Sequence, residues 1–193
     1  MSKALEDFTV VSNFVEKIKK GEIEIYNEFS LQHEMGIFLR SKFPDYKVQF
    51  ERNVSFFFST GEFIKIEIDI VIYSQKKQEP PTPHYAIELK FPRNGQYPEQ
   101  MFSCCKDILF VEQLKKTGFE RAFLIIFSDD HLFYEGSGEG IYSYFRQGKE
   151  LCGSVQRPTG KKDVVIELNG NYKIKWVPLT GKLKYSVIEA NNG

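Results

Sequence analysis

Leu5, Phe8, Val11, Phe14, Val15 and Ile18 recur at the spacing of one helix face, and Lys17, Lys19 and Lys20 suit its last turn before Gly21. The pattern predicts a second helix from about Ser30 to Lys42, with Leu31, Met35, Phe38 and Leu39 as its apolar stripe. It should stop near Phe43-Pro44, because a residue before proline avoids helical angles. The period then changes to two. Val48 to Phe58 reads as a strand, Ser59-Thr60-Gly61-Glu62 as a turn, and Phe63 to Tyr73 as the returning strand of a hairpin. In the returning strand Ile64, Ile66, Ile68, Ile70 and Ile72 share one face, and Lys65, Glu67, Asp69, Val71 and Tyr73 share the other. A proline-rich loop, Gln75 to Pro83, leads to a third strand, Tyr85 to Phe91, which Pro92 ends. A helix is predicted from about Glu99 to Lys116, stopped by Gly118. Arg121 to Phe127 is a continuous apolar run, as suits a central strand covered on both faces. Beyond it, Val164 to Leu168, Tyr172 to Val177 and Tyr185 to Glu189 read as short strands, with Asn169-Gly170 as a hairpin turn between the first two.

The expected fold class is therefore α/β: a three-layer domain on a central mixed sheet, with residues 1–127 as its core and 128–193 as a strand-rich C-terminal extension packed on the same domain. The length of 193 residues agrees with one domain, and 41% hydrophobic against 27% charged residues gives enough apolar material for a core. No apolar stretch approaches the length of a membrane span, and Met1 to Asp7 does not have the layout of a secretory signal. Three cysteines, two of them adjacent (Cys104, Cys105, Cys152), make neither an even disulfide framework nor a zinc pattern, so a reducing, cytoplasmic setting is expected. The 26 basic and 26 acidic residues cancel, so only a local patch could mark a polyanion partner. Residues 149–184 form such a patch, with eight Lys/Arg against three Asp/Glu.

The residues that bear on chemistry are charges on otherwise apolar strands. Asp69 lies among Ile66, Ile68, Ile70 and Ile72, where aspartate is poorly suited to the backbone. Glu88 and Lys90 are two apart and so point to one side of their strand, with small Ala86 beside them. If these strands are neighbours, Asp69 and Glu88 converge, and two close carboxylates repel unless a cation or a proton lies between them. A divalent cation with oxygen ligands, Mg²⁺ above all, would resolve that conflict. Lys90 could then orient a water or stabilise charge growing on a phosphate. Glu34 falls on the apolar stripe of its helix and would need a partner in the interior. Each charge taken singly also fits a solvated or ion-paired surface position; the joint occurrence and the element order distinguish this set.

The combination resembles the PD-(D/E)XK nuclease superfamily, whose fold is restriction-endonuclease-like. It is carried by Glu34 in Gln-His-Glu-Met-Gly, Asp69 in Ile-Glu-Ile-Asp-Ile-Val-Ile, and Glu88 and Lys90 in Ala-Ile-Glu-Leu-Lys-Phe-Pro, over about residues 29–127. The resemblance implies phosphodiester hydrolysis of DNA with Mg²⁺ or Mn²⁺. Asp69 and Glu88 would be metal ligands, joined by the carbonyl of Leu89; Lys90 would support the attacking water, and Glu34 would assist the metal. Asp69 follows Ile68 rather than a proline. The Gln and Tyr four apart that some relatives carry on the next helix are absent, since Gln100 is followed by Cys104.

Arg93, Lys106, Lys161 and Lys162 are candidate phosphate contacts, each equally well read as solvated charge. Tyr142, Tyr144 and Phe145 could stack on bases, though core packing is the commoner use of such residues. A homodimer would supply two sites for cutting both strands of a duplex. The alternative expectation is a catalytically inactive module that keeps the fold and binds nucleic acid or protein.

Overall fold

The computed structural model describes residues 9–93, 95–160 and 164–191. Helices α1 (Thr9–Lys19) and α2 (Glu28–Lys42) come first, so the part of the N-terminal helix expected at Leu5 and Phe8 lies outside the described residues. Strand β1 (Lys47–Asn53) ends in a single 3₁₀ turn at Val54–Phe56. Strands β2 (Glu67–Ser74) and β3 (Thr82–Lys90) follow, then helix α3 (Tyr97–Thr117) and strand β4 (Arg121–Ser128). Two short helices, α4 (His131–Tyr134) and α5 (Tyr142–Arg146), lead into β5 (Leu151–Gln156), β6 (Val165–Tyr172), β7 (Val177–Thr180) and β8 (Leu183–Glu189).

The fold is α/β on a mixed six-stranded sheet of order β1-β2-β3-β4-β8-β7, with β5 and β6 forming a separate two-stranded sheet. β3 and β4 are parallel and joined through α3; the other pairs of the large sheet are antiparallel. Residues of β4 beyond Arg121 are all buried, as its unbroken apolar run requires of a strand covered on both faces. Alternation divides the core. Ile70, Ile72, Ile87, Leu89, Phe123, Ile125 and Phe127 meet Phe14, Leu31, Met35 and Leu39 of α1 and α2. Val71, Tyr73, Ala86 and Ala122 meet Phe110, Val111 and Leu114 of α3, while Leu124 and Ile126 meet Met101, Cys105 and Ile108 earlier in that helix. No helix among the described residues is long and apolar enough to cross a membrane.

Three local expectations are corrected. The stretch ahead of β2 is not strand: Phe57 and Phe58 leave the sheet to pack edge-on against Phe119, and Ile64 and Ile66 are exposed rather than on the buried face. Asn169-Gly170 is not a turn but part of β6, whose partner is β5. Neither residue has the positive φ that a two-residue hairpin turn needs. Their N–H groups instead donate to the buried carboxylate of Glu112 on α3, at 3.1 and 2.7 Å, so the chain bulges out of the β5 register here and continues rather than turning back. Gly170 is required there, because a Cβ would stand 2.5 Å from the Tyr172 hydroxyl. Tyr172 to Val177 is correspondingly not one strand: Tyr172 closes β6 and Val177 opens β7. The C-terminal third is more than a cover, since β8 pairs along β4 from Phe123–Glu189 to Ser128–Lys184 and completes the large sheet.

Glu112 also accepts a hydrogen bond from the Tyr172 hydroxyl at 2.8 Å, so a single buried carboxylate ties β6 to α3. Glu112→Ala leaves these donors unpaired and should cost about 2–4 kcal/mol. In a thermal melt this is a drop of roughly 5–15 °C for a domain of this size. An unchanged melting temperature would show that water replaces the carboxylate at no cost.

Candidate functional site

The site lies where β2 and β3 stop pairing. The β1–β2 register places Glu51 opposite Asp69, and the β2–β3 register places Asp69 opposite Glu88. The three acids thus form one row across three strands, yet neither ladder makes a regular pair at this row. The last regular β2–β3 pair is Ile70–Ile87, and Glu51 has a φ of 47°. Two side chains replace the missing backbone bonds. The Asp69 N–H donates to Glu88 Oε1 at 3.2 Å, and the Leu89 N–H donates to Asp69 Oδ2 at 2.8 Å. Each carboxylate therefore satisfies a strand amide that would otherwise be unpaired.

Lysines bring the compensating charge. Lys65, just ahead of β2, places its ammonium against Glu88 Oε2 and 3.0 Å from Asp107 Oδ1 on α3. Lys90 Nζ lies 3.4 Å from Asp107 Oδ2 and 3.4 Å from Glu28 Oε1. Asp107 is thus shared between the two lysines, although its Oδ2 makes no hydrogen bond. Glu28 is positioned by the start of α2. The Asn27 side chain accepts from the Ser30 N–H, and the Ser30 hydroxyl accepts from the Asn27 N–H, which together fix the first helical turn. From that turn Glu28 Oε2 accepts the Phe91 N–H at 3.0 Å, joining α2 to the end of β3.

The sequence-predicted residues separate on this geometry. Asp69 and Glu88 are in direct contact, and Lys90 is linked to Glu88 through Asp107 and Lys65. Glu34 is not brought to this cluster: its carboxylate lies 3.7 Å from His33 Nδ1 and a third of its side chain is exposed. The helix acid that reaches Lys90 is Glu28, six residues earlier in the chain. Arg93 pairs with Asp129 at 2.7 Å, Lys106 is half-buried on α3, and Lys161 and Lys162 lie outside the described residues. Phe145 is core, while Tyr142 and Tyr144 are partly buried against the same cluster. Burial raises the thiol pKa of Cys104 and Cys105, as fits packing residues.

Five participants were missed by the sequence patterns: Glu28, Glu51, Lys65, Asp107 and Gln32, whose side-chain amide donates to Glu51 at 2.5 Å and to the Asp69 carbonyl at 3.0 Å. Lys65 did carry a signal, since it shares the parity of Asp69 in the alternating run. Asp107 sits beside the buried stripe of α3, where a carboxylate needs a partner. Glu28 reads as an ordinary first-turn acid.

Two adjoining hollows flank the row. One, of ≈ 290 Å³, is lined by Glu28, Phe29, Gln32, Glu51, Asp69 and Leu89. The other, of ≈ 390 Å³, includes Glu28, Lys90, Arg93 and Gln100. Glu28 borders both. Among the described residues no three carboxylate, imidazole or thiolate groups are set to hold a metal ion. Comparison with protein-family models, with curated proteins and with solved structures finds no match to this chain.

Burial pushes the Asp69 carboxyl up to about 6, against hydrogen bonding from Leu89 and the nearby lysines. Burial raises Glu88 well above the usual carboxylate range, helped by the negative charges of Asp69 and Asp107. For both lysines burial opposes the charge but is outweighed, by Glu88 and Asp107 at Lys65 and by Asp107 and Glu28 at Lys90, so both stay cationic. The two acids bind protons more tightly folded than unfolded, so stability falls as pH rises from about 4 through 6. The lysines contribute stability that is complete below their ordinary 10.5 and is lost only at strongly alkaline pH. The surface acids Glu22, Glu99 and Glu135, hydrogen-bonded to Lys17, Arg157 and Lys184, have lowered pKa values and so act in the opposite sense, losing their stabilisation as pH falls. Urea unfolding of the metal-free protein should give a stability higher at pH 5 than at pH 7 by on the order of 1–3 kcal/mol. Asp69→Asn should flatten that slope; an equal slope in the variant would mean that other groups carry it.

Proposed function

We propose that this chain is a divalent-metal-dependent nuclease that hydrolyses phosphodiester bonds of DNA. The observation that carries the reading is the single row in which Asp69 and Glu88 interlock, with Lys90 one alternation further along the same strand. Asp69 and Glu88 would hold Mg²⁺ or Mn²⁺. The fit rests on Asp69, whose second oxygen accepts no hydrogen bond among the described residues and which borders a hollow open to ligand. A bound divalent cation would neutralise the two acids and polarise a phosphoryl oxygen.

The chain's own residues supply the rest. Lys90 presents a fixed positive charge, held between Asp107 and Glu28, where it can orient the attacking water and stabilise charge that grows on phosphate. Glu28 takes the supporting place that the sequence resemblance gave to Glu34. Arg93 borders the same hollow as Lys90 and can exchange its exposed Asp129 partner for a backbone phosphate. Phe29, 75% exposed beside Asp69, offers an apolar face to a sugar or base. The inactive-module alternative also has an observation behind it: the acids are already compensated by lysines within the chain.

The assay is nicking of supercoiled plasmid and cleavage of single-stranded DNA with Mg²⁺ or Mn²⁺. Wild type should cut, and Lys90→Ala should lower the rate by roughly 100-fold or more with its circular dichroism unchanged. Equal rates would remove the mechanism; binding of DNA without cutting would favour the inactive module. In the same assay Glu28→Gln should lose roughly tenfold, while Glu34→Gln should stay within about twofold of wild type. The reverse order would restore Glu34 as the supporting acid.

A further inference from the structure

The stretch before β2 is packed inside out. Lys65 turns inward while its neighbours Ile64 and Ile66, 38% and 66% exposed, face solvent. Exposing isoleucine on both sides of an inward lysine inverts the usual order of burial. What offsets it is electrostatic: the Lys65 ammonium bridges Glu88 and Asp107, both almost completely buried. The segment that carries Lys65 has no regular structure; Phe63 packs edge-on against Phe110, and the Lys65 ammonium lies 5.5 Å from the centre of the same ring. The Ile64 N–H donates to the Gln113 side chain at 2.9 Å, and the Ile66 carbonyl accepts the Val54 N–H at 2.9 Å.

We propose that Lys65 is an exchangeable internal cation that occupies Glu88 in the absence of metal, and that a divalent cation and the Lys65 ammonium bind this carboxylate in alternation. The inference rests on the reading of Asp69 and Glu88 as metal ligands and adds a regulatory element to that site. A dication beside Glu88 would repel the ammonium and neutralise the carboxylate that, with Asp107, draws it inward. Lys65 then swings out. Its segment, relieved of the ion pairs, is free to turn Ile64 and Ile66 toward the sheet. Metal loading and rearrangement of residues 61–66 are therefore one event, and the acid pair is never left without a cation.

The test is Mn²⁺ titration by calorimetry of wild type, Lys65→Ala and Glu88→Gln, with lysine acylation of wild type mapped by mass spectrometry. Removing a competitor for the same carboxylate should tighten Mn²⁺ binding in Lys65→Ala by roughly five- to tenfold. Saturating Mn²⁺ should raise acylation of Lys65 in wild type several-fold, with no such rise in Glu88→Gln. Because acylation is read on wild type, the test holds even if Lys65→Ala folds poorly. Mn²⁺ binding that depends on Glu88 but leaves Lys65 acylation unchanged would overturn the exchange and leave the metal site standing. Absence of Mn²⁺ binding in both wild type and Lys65→Ala would overturn the exchange and the metal site together.

Discussion

The structure around the candidate site depends on a substitution of side chain for backbone. At the Glu51–Asp69–Glu88 row the sheet gives up its regular ladder, and the carboxylates of Asp69 and Glu88 accept the strand amides left over. An unpaired amide at this depth would be costly, and so would an unpaired carboxylate. Each offsets the other. The consequence is a gap between two strands whose walls are acidic yet rigid, because the acids are themselves part of the strand pairing. Lys65, Lys90, Asp107 and Glu28 are arranged around that gap to balance its charge.

Much of this architecture was legible in the pattern of residues. The change from helical to strand period placed α2, β3, α3 and β4 close to their observed bounds, since long apolar runs of fixed period have few other ways to be buried. It also placed the start of β1, though that strand ends five residues earlier than expected. The acid–acid–lysine set was legible because Asp69, Glu88 and Lys90 violate the apolar character of their strands. What escaped was non-local. Asn169-Gly170 has the composition of a turn, but Glu112, far away in sequence, holds it as a bulge within β6. Ile64 and Ile66 continue the alternation of β2 in sequence, but Lys65 is drawn in by Glu88 and Asp107 and turns them out. Glu34 satisfied the periodicity argument; the choice between it and Glu28 was made by the capping turn at Asn27, which aims the first helical residue at the end of β3.

The lysines illustrate how a buried charge network can serve two purposes. Asp107 lies on the helix that packs over the sheet and contacts both Lys65 and Lys90. As a structural element it anchors α3 to the acid row. As a chemical element it keeps Lys90 charged and in place while leaving Lys65 on a segment that can depart. Only one of the two cations is built into a strand, and that difference separates the fixed ammonium from the replaceable one.

The pairing of β8 along β4 has a consequence for how the molecule is made. The most deeply buried strand of the sheet acquires its second neighbour only from residues 183–189, some sixty positions later in the chain. During synthesis, an apolar edge of β4 therefore stands open while the intervening segment is still being translated. Such an edge is a template for pairing with another chain. The acid row reaches β3, the strand beside β4, and all of its residues precede β8, so a nascent chain could carry the assembled row on a sheet that is not yet protected from aggregation.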